Sequence, residues 1–122
     1  MSTRGLVLFA HGARDPRWAE PFEQVRSTIA KRRPDLDIRI AYLEHLQPSL
    51  AATVAAMAEM GVQEIRLVPM FFGRGGHLRE DFPRAVVAAR AAAPNLRIEI
   101  SEAAGEAPAV REALADFALH GW

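Results

Sequence analysis

The chain has 122 residues, half of them hydrophobic, with Lys+Arg and Asp+Glu balanced at 15 each and no cysteine. Such a composition fits one folded domain over residues 1–122 with a real core, and it excludes disulfide staples and thiolate metal sites. Charge balance without a like-charge block argues against nucleic acid or an anionic membrane as partner, and the apolar run from Gly5 to Ala10 is too short for a membrane span or signal-peptide core, so a cytoplasmic protein is expected.

Taken in chain order, Leu6-Val7-Leu8-Phe9-Ala10 reads as a strand buried on both faces. A helix is expected over about residues 16 to 33. After the turn signal Pro34-Asp35, Ile38, Ile40, Tyr42 and Leu43 mark a second strand, and a second helix is expected over about 48 to 60. Gly61 reads as a helix end, and Ile65 to Pro69 as the third strand. A third helix over about 79 to 93 leads through Pro94-Asn95 to Leu96-Arg97-Ile98-Glu99-Ile100, whose alternation fits an edge strand with one wet face. The last helix is expected over about 106 to 119. Strands alternating with helices imply right-handed crossovers and an α/β fold: a four-stranded parallel sheet with helices on both faces.

An internal repeat orders the strands. Pro34-Asp35-Leu36-x-Ile38-x-Ile40 returns sixty positions on as Pro94-Asn95-Leu96-x-Ile98-x-Ile100, and Pro48 returns as Pro108. His11 to Asp15 and His77 to Asp81 share a His-x-x-x-Asp spacing, each just before a helix. Two halves related by a two-fold axis along the strands give strand order 2-1-3-4, with the first and third strands as central neighbours.

Ligands in such sheets bind beyond the carboxyl ends of the strands, where the strand order reverses. His11 follows the first strand directly. His77 ends the Gly-rich loop Phe72-Gly73-Arg74-Gly75-Gly76 after the third. Neighbouring strands lie about 5 Å apart, so both imidazoles can reach one divalent ion at roughly 2.1 Å from each nitrogen. Glu44 shares that edge, His45 stands beside it without an assigned role, and His120 reads as a solvated residue near the end of the last helix. The Gly-rich loop lacks the Gly-Lys-Ser/Thr of a phosphate loop and the Rossmann glycine spacing, which disfavours nucleotides.

At these residues the chain resembles a known family. His11-Gly12-Ala13-Arg14-Asp15-Pro16, Tyr42-Leu43-Glu44 with Pro48, and Val68-Pro69-Met70-Phe71-Phe72-Gly73-Arg74-Gly75-Gly76-His77 with Asp81 and Pro83 are similar to the small, single-domain sirohydrochlorin cobaltochelatases of the CbiX type. The resemblance covers nearly the whole chain. It implies a chelatase-like fold and a lyase that inserts a divalent ion into sirohydrochlorin for cobalamin biosynthesis, Co²⁺ first, with Ni²⁺ or Fe²⁺ as the alternatives and no organic cofactor. It makes His11 the proton acceptor and a metal ligand, His77 the second ligand, and Glu44 a residue that orients a histidine, binds metal or takes a proton. Glu44, Phe72, Gly73, Arg74, Gly75, Gly76 and His77 become candidates for contact with the macrocycle.

Insertion needs a base for two pyrrole protons and a metal held loosely enough to hand on. Neutral imidazole suits both, and two histidines leave coordination positions open where a closed four-ligand site would retain the ion. Arg14, Arg74 and Arg79 flank the histidine loops and can pair with substrate carboxylates. One of Phe71 and Phe72 is expected in the core. A rim of four strand ends at roughly 5 Å each covers only part of a tetrapyrrole, so a homodimer is expected. A metal carrier or sensor is the reading from another class; it predicts tight retention of metal without turnover.

Overall fold

The apolar runs become four strands that pair in parallel: β1 (Arg4–Ala10), β2 (Asp37–Tyr42), β3 (Glu64–Pro69) and β4 (Arg97–Ile100), in the expected order 2-1-3-4. The computed structural model describes residues 2–73, 75 and 78–122. Between and after the strands run α1 (Glu20–Arg32), α2 (Leu50–Glu59), α3 (Leu78–Ala92) and α4 (Pro108–Leu119).

Three helices start later than their sequence pattern suggests, α1 by four residues and α2 and α4 by two each. Pro21 has no N–H to give the Arg17 carbonyl, so the segment Pro16–Ala19 is a separate 3-10 turn ahead of α1. The Asp15 side chain caps that turn by accepting from the Arg17 backbone N–H at 3.0 Å. A second 3-10 turn, Ala104–Glu106, precedes α4, which takes Pro108 into its first turn, where a missing N–H costs nothing. In α1 the charges match the helix dipole, Glu20 and Glu23 in the first turn and Lys31 and Arg32 in the last. Ser49 caps α2, its Oγ accepting from the Ala52 N–H at 3.2 Å.

Alternation along the strands sorts the core into two layers. Val7, Phe9, Ala41, Ile65, Leu67 and Ile98 face α2 and α3, packing on Val54, Met57, Phe82, Val86 and Ala89. Leu8, Ala10, Ile40 and Tyr42 face the other way, toward Phe22 and Ile29 of α1. Burying a side chain such as Phe9 or Met57, both 0% exposed, stabilises by roughly 1.5–3 kcal/mol each. On β4, Ile98 is buried while Arg97 and Glu99 are exposed, the wet edge that its alternation indicates. α4 stands off the sheet, with all twelve of its residues exposed. Among the described residues no helix is long and apolar enough to cross a membrane.

Candidate functional site

The pairing of β1 with β2 continues past the strand ends. Ala10 lies opposite Tyr42; beyond them the Leu43 N–H donates to the Ala10 carbonyl at 3.0 Å and the Glu44 N–H to the His11 carbonyl at 3.1 Å. Two more backbone bonds close the Glu44 loop, from the Tyr42 N–H to the Pro48 carbonyl at 2.9 Å and from the Leu46 N–H to the Glu44 carbonyl at 2.8 Å. His45 completes the turn with a left-handed φ of 67°.

This register sets two side chains against each other. His11 Nε2 and Glu44 Oε1 are 2.9 Å apart, each side chain about 40% exposed. An ionised carboxylate has no proton to give, so Nε2 carries the hydrogen, donates it to Glu44, and leaves the lone pair on Nδ1. Phe71 also packs against the ring, edge to face at 6.3 Å between centroids. Phe71 is itself one of three mutually packed rings: it stands 5.8 Å from Phe9 and 5.9 Å from Phe82. The imidazole thus meets both a carboxylate and the aromatic core. His45 Nε2 lies 3.7 Å from the same Glu44 oxygen, close enough to feel its charge but beyond a hydrogen bond.

Gly12 makes the arrangement possible. Its φ is +91°, and a Cβ there would collide with the Glu44 carbonyl oxygen. Only glycine lets the His11 loop pass this close to the Glu44 backbone.

Beside the pair opens a cavity of about 420 Å³. His11 and Gly12 form its rim, and Trp18, Phe22, Leu46, Met70 and Phe72 give it a largely apolar wall. Tyr42 reaches it too; burial, and then the nearby Glu23 charge, push its phenol above the ordinary value of 10.0, so it stays protonated and serves as a donor rather than a base. The cavity has the size and character of a small-molecule site.

The sequence-predicted residues divide as follows. His11 and Glu44 meet; Phe72, 76% exposed, and Gly73 stand at the cavity. Phe71 takes the core position expected of one of the two. Gly75 lies instead on a second cleft, of about 470 Å³, with Leu78, Arg79 and Phe82. Arg14 is exposed. Arg74, Gly76 and His77 lie outside the described residues. Among the described residues no three His, Asp or Glu side chains cluster closely enough to hold an ion.

Sequence reasoning passed over Trp18, Phe22, Leu46 and Met70, although the i, i+4 spacing of Trp18 and Phe22 was a signal. It also missed Gly105. That residue's N–H donates to the Phe71 carbonyl at 2.8 Å, and a Cβ on it would strike the Phe72 backbone. Gly105→Ala is therefore expected to force the Phe71-Phe72 segment outward at a cost of about 1–3 kcal/mol, lowering Tm by roughly 4–12 °C. A melt that superposes on that of the parent protein would show that the contact yields freely.

Comparison with known proteins gives a consistent picture. The CbiX family model matches residues 5–118. The sirohydrochlorin cobaltochelatase of Methanococcoides burtonii is 34% identical over 79 residues, covering 65% of this chain and 60% of that protein. The aligned stretch thus spans about 60% of the length of that curated relative. A CbiX protein from Marinobacter aquaeolei VT8 superposes with a TM-score of 0.81 at 31% identity, covering 94% of this chain and 93% of the other. The sirohydrochlorin chelatase SirB of Bacillus subtilis subspecies spizizenii, in complex with cobalt, shares the fold, with a TM-score of 0.71 at 22% identity over 94% of this chain and 49% of its own.

Proposed function

Because the chain belongs to the CbiX family, we propose that it is a sirohydrochlorin chelatase, a single chelatase-like domain that inserts a divalent ion, foremost Co²⁺, into the macrocycle for cobalamin biosynthesis. The observation that carries this reading is the His11–Glu44 pair, 2.9 Å apart, with His11 lining an apolar cavity. A carrier or sensor needs ligands but has no use for an apolar wall beside them. An enzyme that must hold a flat macrocycle while removing its protons needs both.

The geometry supports the following chemistry. The macrocycle packs against Trp18 and Phe72, with its pyrrole N–H groups toward His11. Nδ1 of His11 accepts a pyrrole proton, and Glu44, hydrogen-bonded to Nε2, stabilises the imidazolium that forms. Two protons must leave and the pair carries one at a time. Both side chains are about 40% exposed, so the first can pass to solvent before the second is taken. The incoming ion is substrate, not resident cofactor. In this reading His77 and the Nδ1 lone pair of His11 first hold it by imidazole nitrogen alone, which suits Co²⁺, Ni²⁺ and Fe²⁺ and leaves open positions for the pyrrole nitrogens, and that lone pair turns to the pyrrole proton as the ion passes to the macrocycle. Phe72 and Gly73 at the cavity, with Arg74, Gly75 and Gly76 of the same loop, are the contacts this reading gives the macrocycle. The working unit is a cytoplasmic homodimer, since one rim of four strand ends covers only part of the macrocycle.

The test is an insertion assay with Co²⁺, Ni²⁺ and Fe²⁺ supplied separately, followed by the change in the macrocycle's absorption across pH. The rate is expected to fall from neutrality toward pH 5, because imidazolium can neither bind a cation nor accept a proton. Arg17 holds the Asp15 carboxyl below its ordinary value of 3.8, by its side chain first and its backbone N–H second, so the capped turn beside the site survives this range and its loss cannot cause the fall. A depressed carboxyl stabilises above its unfolded value and loses that contribution only as pH drops through the lower folded one. A rate that is flat from pH 7 to 5, or no insertion of any of the three ions, would overturn the reading.

A further inference from the structure

Among the described residues one helix lacks a seat and one stretch of the sheet lacks a helix. Every residue of α4 is exposed, including a stripe of Val110, Leu114 and Phe117 at helical spacing, with Phe117 81% exposed. A helix of twelve residues is marginal in water by itself, so this stripe needs a cover.

The two-fold relation between the halves indicates where that cover lies. It exchanges β1 with β3, β2 with β4 and the two faces of the sheet, so α1 corresponds to α3 and α2 to α4. α1 packs on one face, α2 and α3 on the other. The position that corresponds to α2 is therefore the α1 side of β3 and β4. Parallel sheets are covered on both faces, yet Arg66 and Glu99, which pair across β3 and β4 on that side, are exposed. Val68 is only partly covered there.

The start of α4 is held elsewhere. Gly105 is tied to the Phe71 carbonyl, and the Arg111 guanidinium donates from Nε to the Gly105 carbonyl at 2.9 Å.

We propose that α4 is exchanged reciprocally between two copies of this chain, each α4 covering the α1 side of β3 and β4 in the other. Area favours a second copy over a foreign partner. A helix about 18 Å long and 10 Å across offers one face of roughly 300 Å², and a stable interface needs about 800 Å² on each side. One-way docking falls well short of that. Reciprocal docking makes each copy both give and receive a helix face, about 600 Å², and the 3-10 turn and the exposed Trp122 extend it. The exchange closes with two-fold symmetry, so it stops at a dimer. It also links the interface to the site, because the turn that launches α4 is bonded to the loop after β3.

This inference rests on the dimer proposed above but not on the chelatase activity, and its test uses neither metal nor macrocycle. Photo-cross-linking from p-benzoylphenylalanine in place of Phe117, with peptide mapping, is expected to give a covalent dimer joined to residues 64–70 or 97–101 of the other copy. Leu114→Arg is expected to raise the dimer dissociation constant at least tenfold by light scattering, with circular dichroism showing the parent fold. Dimers cross-linked α4 to α4, or cross-links to the same chain only, overturn the exchange. A dimer unaffected by Leu114→Arg overturns it too while leaving the dimer standing, and a monomeric parent protein overturns both.

Discussion

His11→Ala is expected to lower the rate of metal insertion on the order of 10²–10⁴-fold while moving Tm by no more than about 2 °C. Alanine supplies neither the lone pair that takes the pyrrole proton nor a ligand for the ion. The stability cost is small because the His11 side chain is 41% exposed and its carboxylate partner, 40% exposed, regains water when the imidazole is gone. Glu44→Gln separates orientation from proton acceptance. Glutamine can still accept the Nε2 hydrogen but cannot stabilise an imidazolium, so the rate should drop less, about 10–100-fold, and the acid limb of the pH profile should shift. The measurement is initial insertion rate at saturating macrocycle, with melting curves for both variants. A folded His11→Ala protein that inserts metal at near-parent rates would remove the base from the mechanism.

Much of this was legible in the sequence, for identifiable reasons. Strand order came from the Pro-Asx repeat, and the sheet edge that carries the candidate site came from the switch-point rule applied to His11. Helix starts were less legible because one prolyl nitrogen, Pro21, decides where α1 begins. The His11–Glu44 contact was visible only as two residues on one edge: its 2.9 Å separation depends on β1–β2 pairing that runs two residues past the strands. The cavity was harder still, since Trp18, Leu46 and Met70 come from three separate segments and none carries a local mark of the others. Gly105 lies over thirty positions from Phe72, and only their backbones touch. The free stance of α4 was not legible either, because an Ala-rich amphipathic helix has the same pattern whether it covers its own sheet or another.

The site's donor set carries a further consequence. Without cysteine, the proposed site offers the ion no thiolate, and the affinity order of divalent ions ranks nickel above cobalt, so affinity alone cannot select cobalt. Selection then falls to metal supply and to the rate at which each ion sheds water. The proposed two-imidazole hold favours rapid transfer over tight retention, the opposite of what a carrier needs.

Gly12→Ala is expected to do the most damage for the smallest change in volume. At φ +91° an L-residue lies outside its comfortable regions, which costs about 1–2 kcal/mol. The new Cβ would also meet the Glu44 carbonyl oxygen, and no side-chain rotation relieves a contact between a Cβ and a backbone atom. One loop must therefore move away from the other, giving a total loss of about 2–4 kcal/mol and a fall in Tm of roughly 8–15 °C. The same movement pulls Glu44 from His11 and undoes their 2.9 Å bond, so the protein that remains folded is also a poor base. Measured well below its melting temperature, Gly12→Ala should insert metal no faster than Glu44→Gln, and its loss should not be additive with that variant, because both sever one contact. Full activity at low temperature in Gly12→Ala, or losses that add in the double variant, would show that the close passage of the two loops serves stability alone.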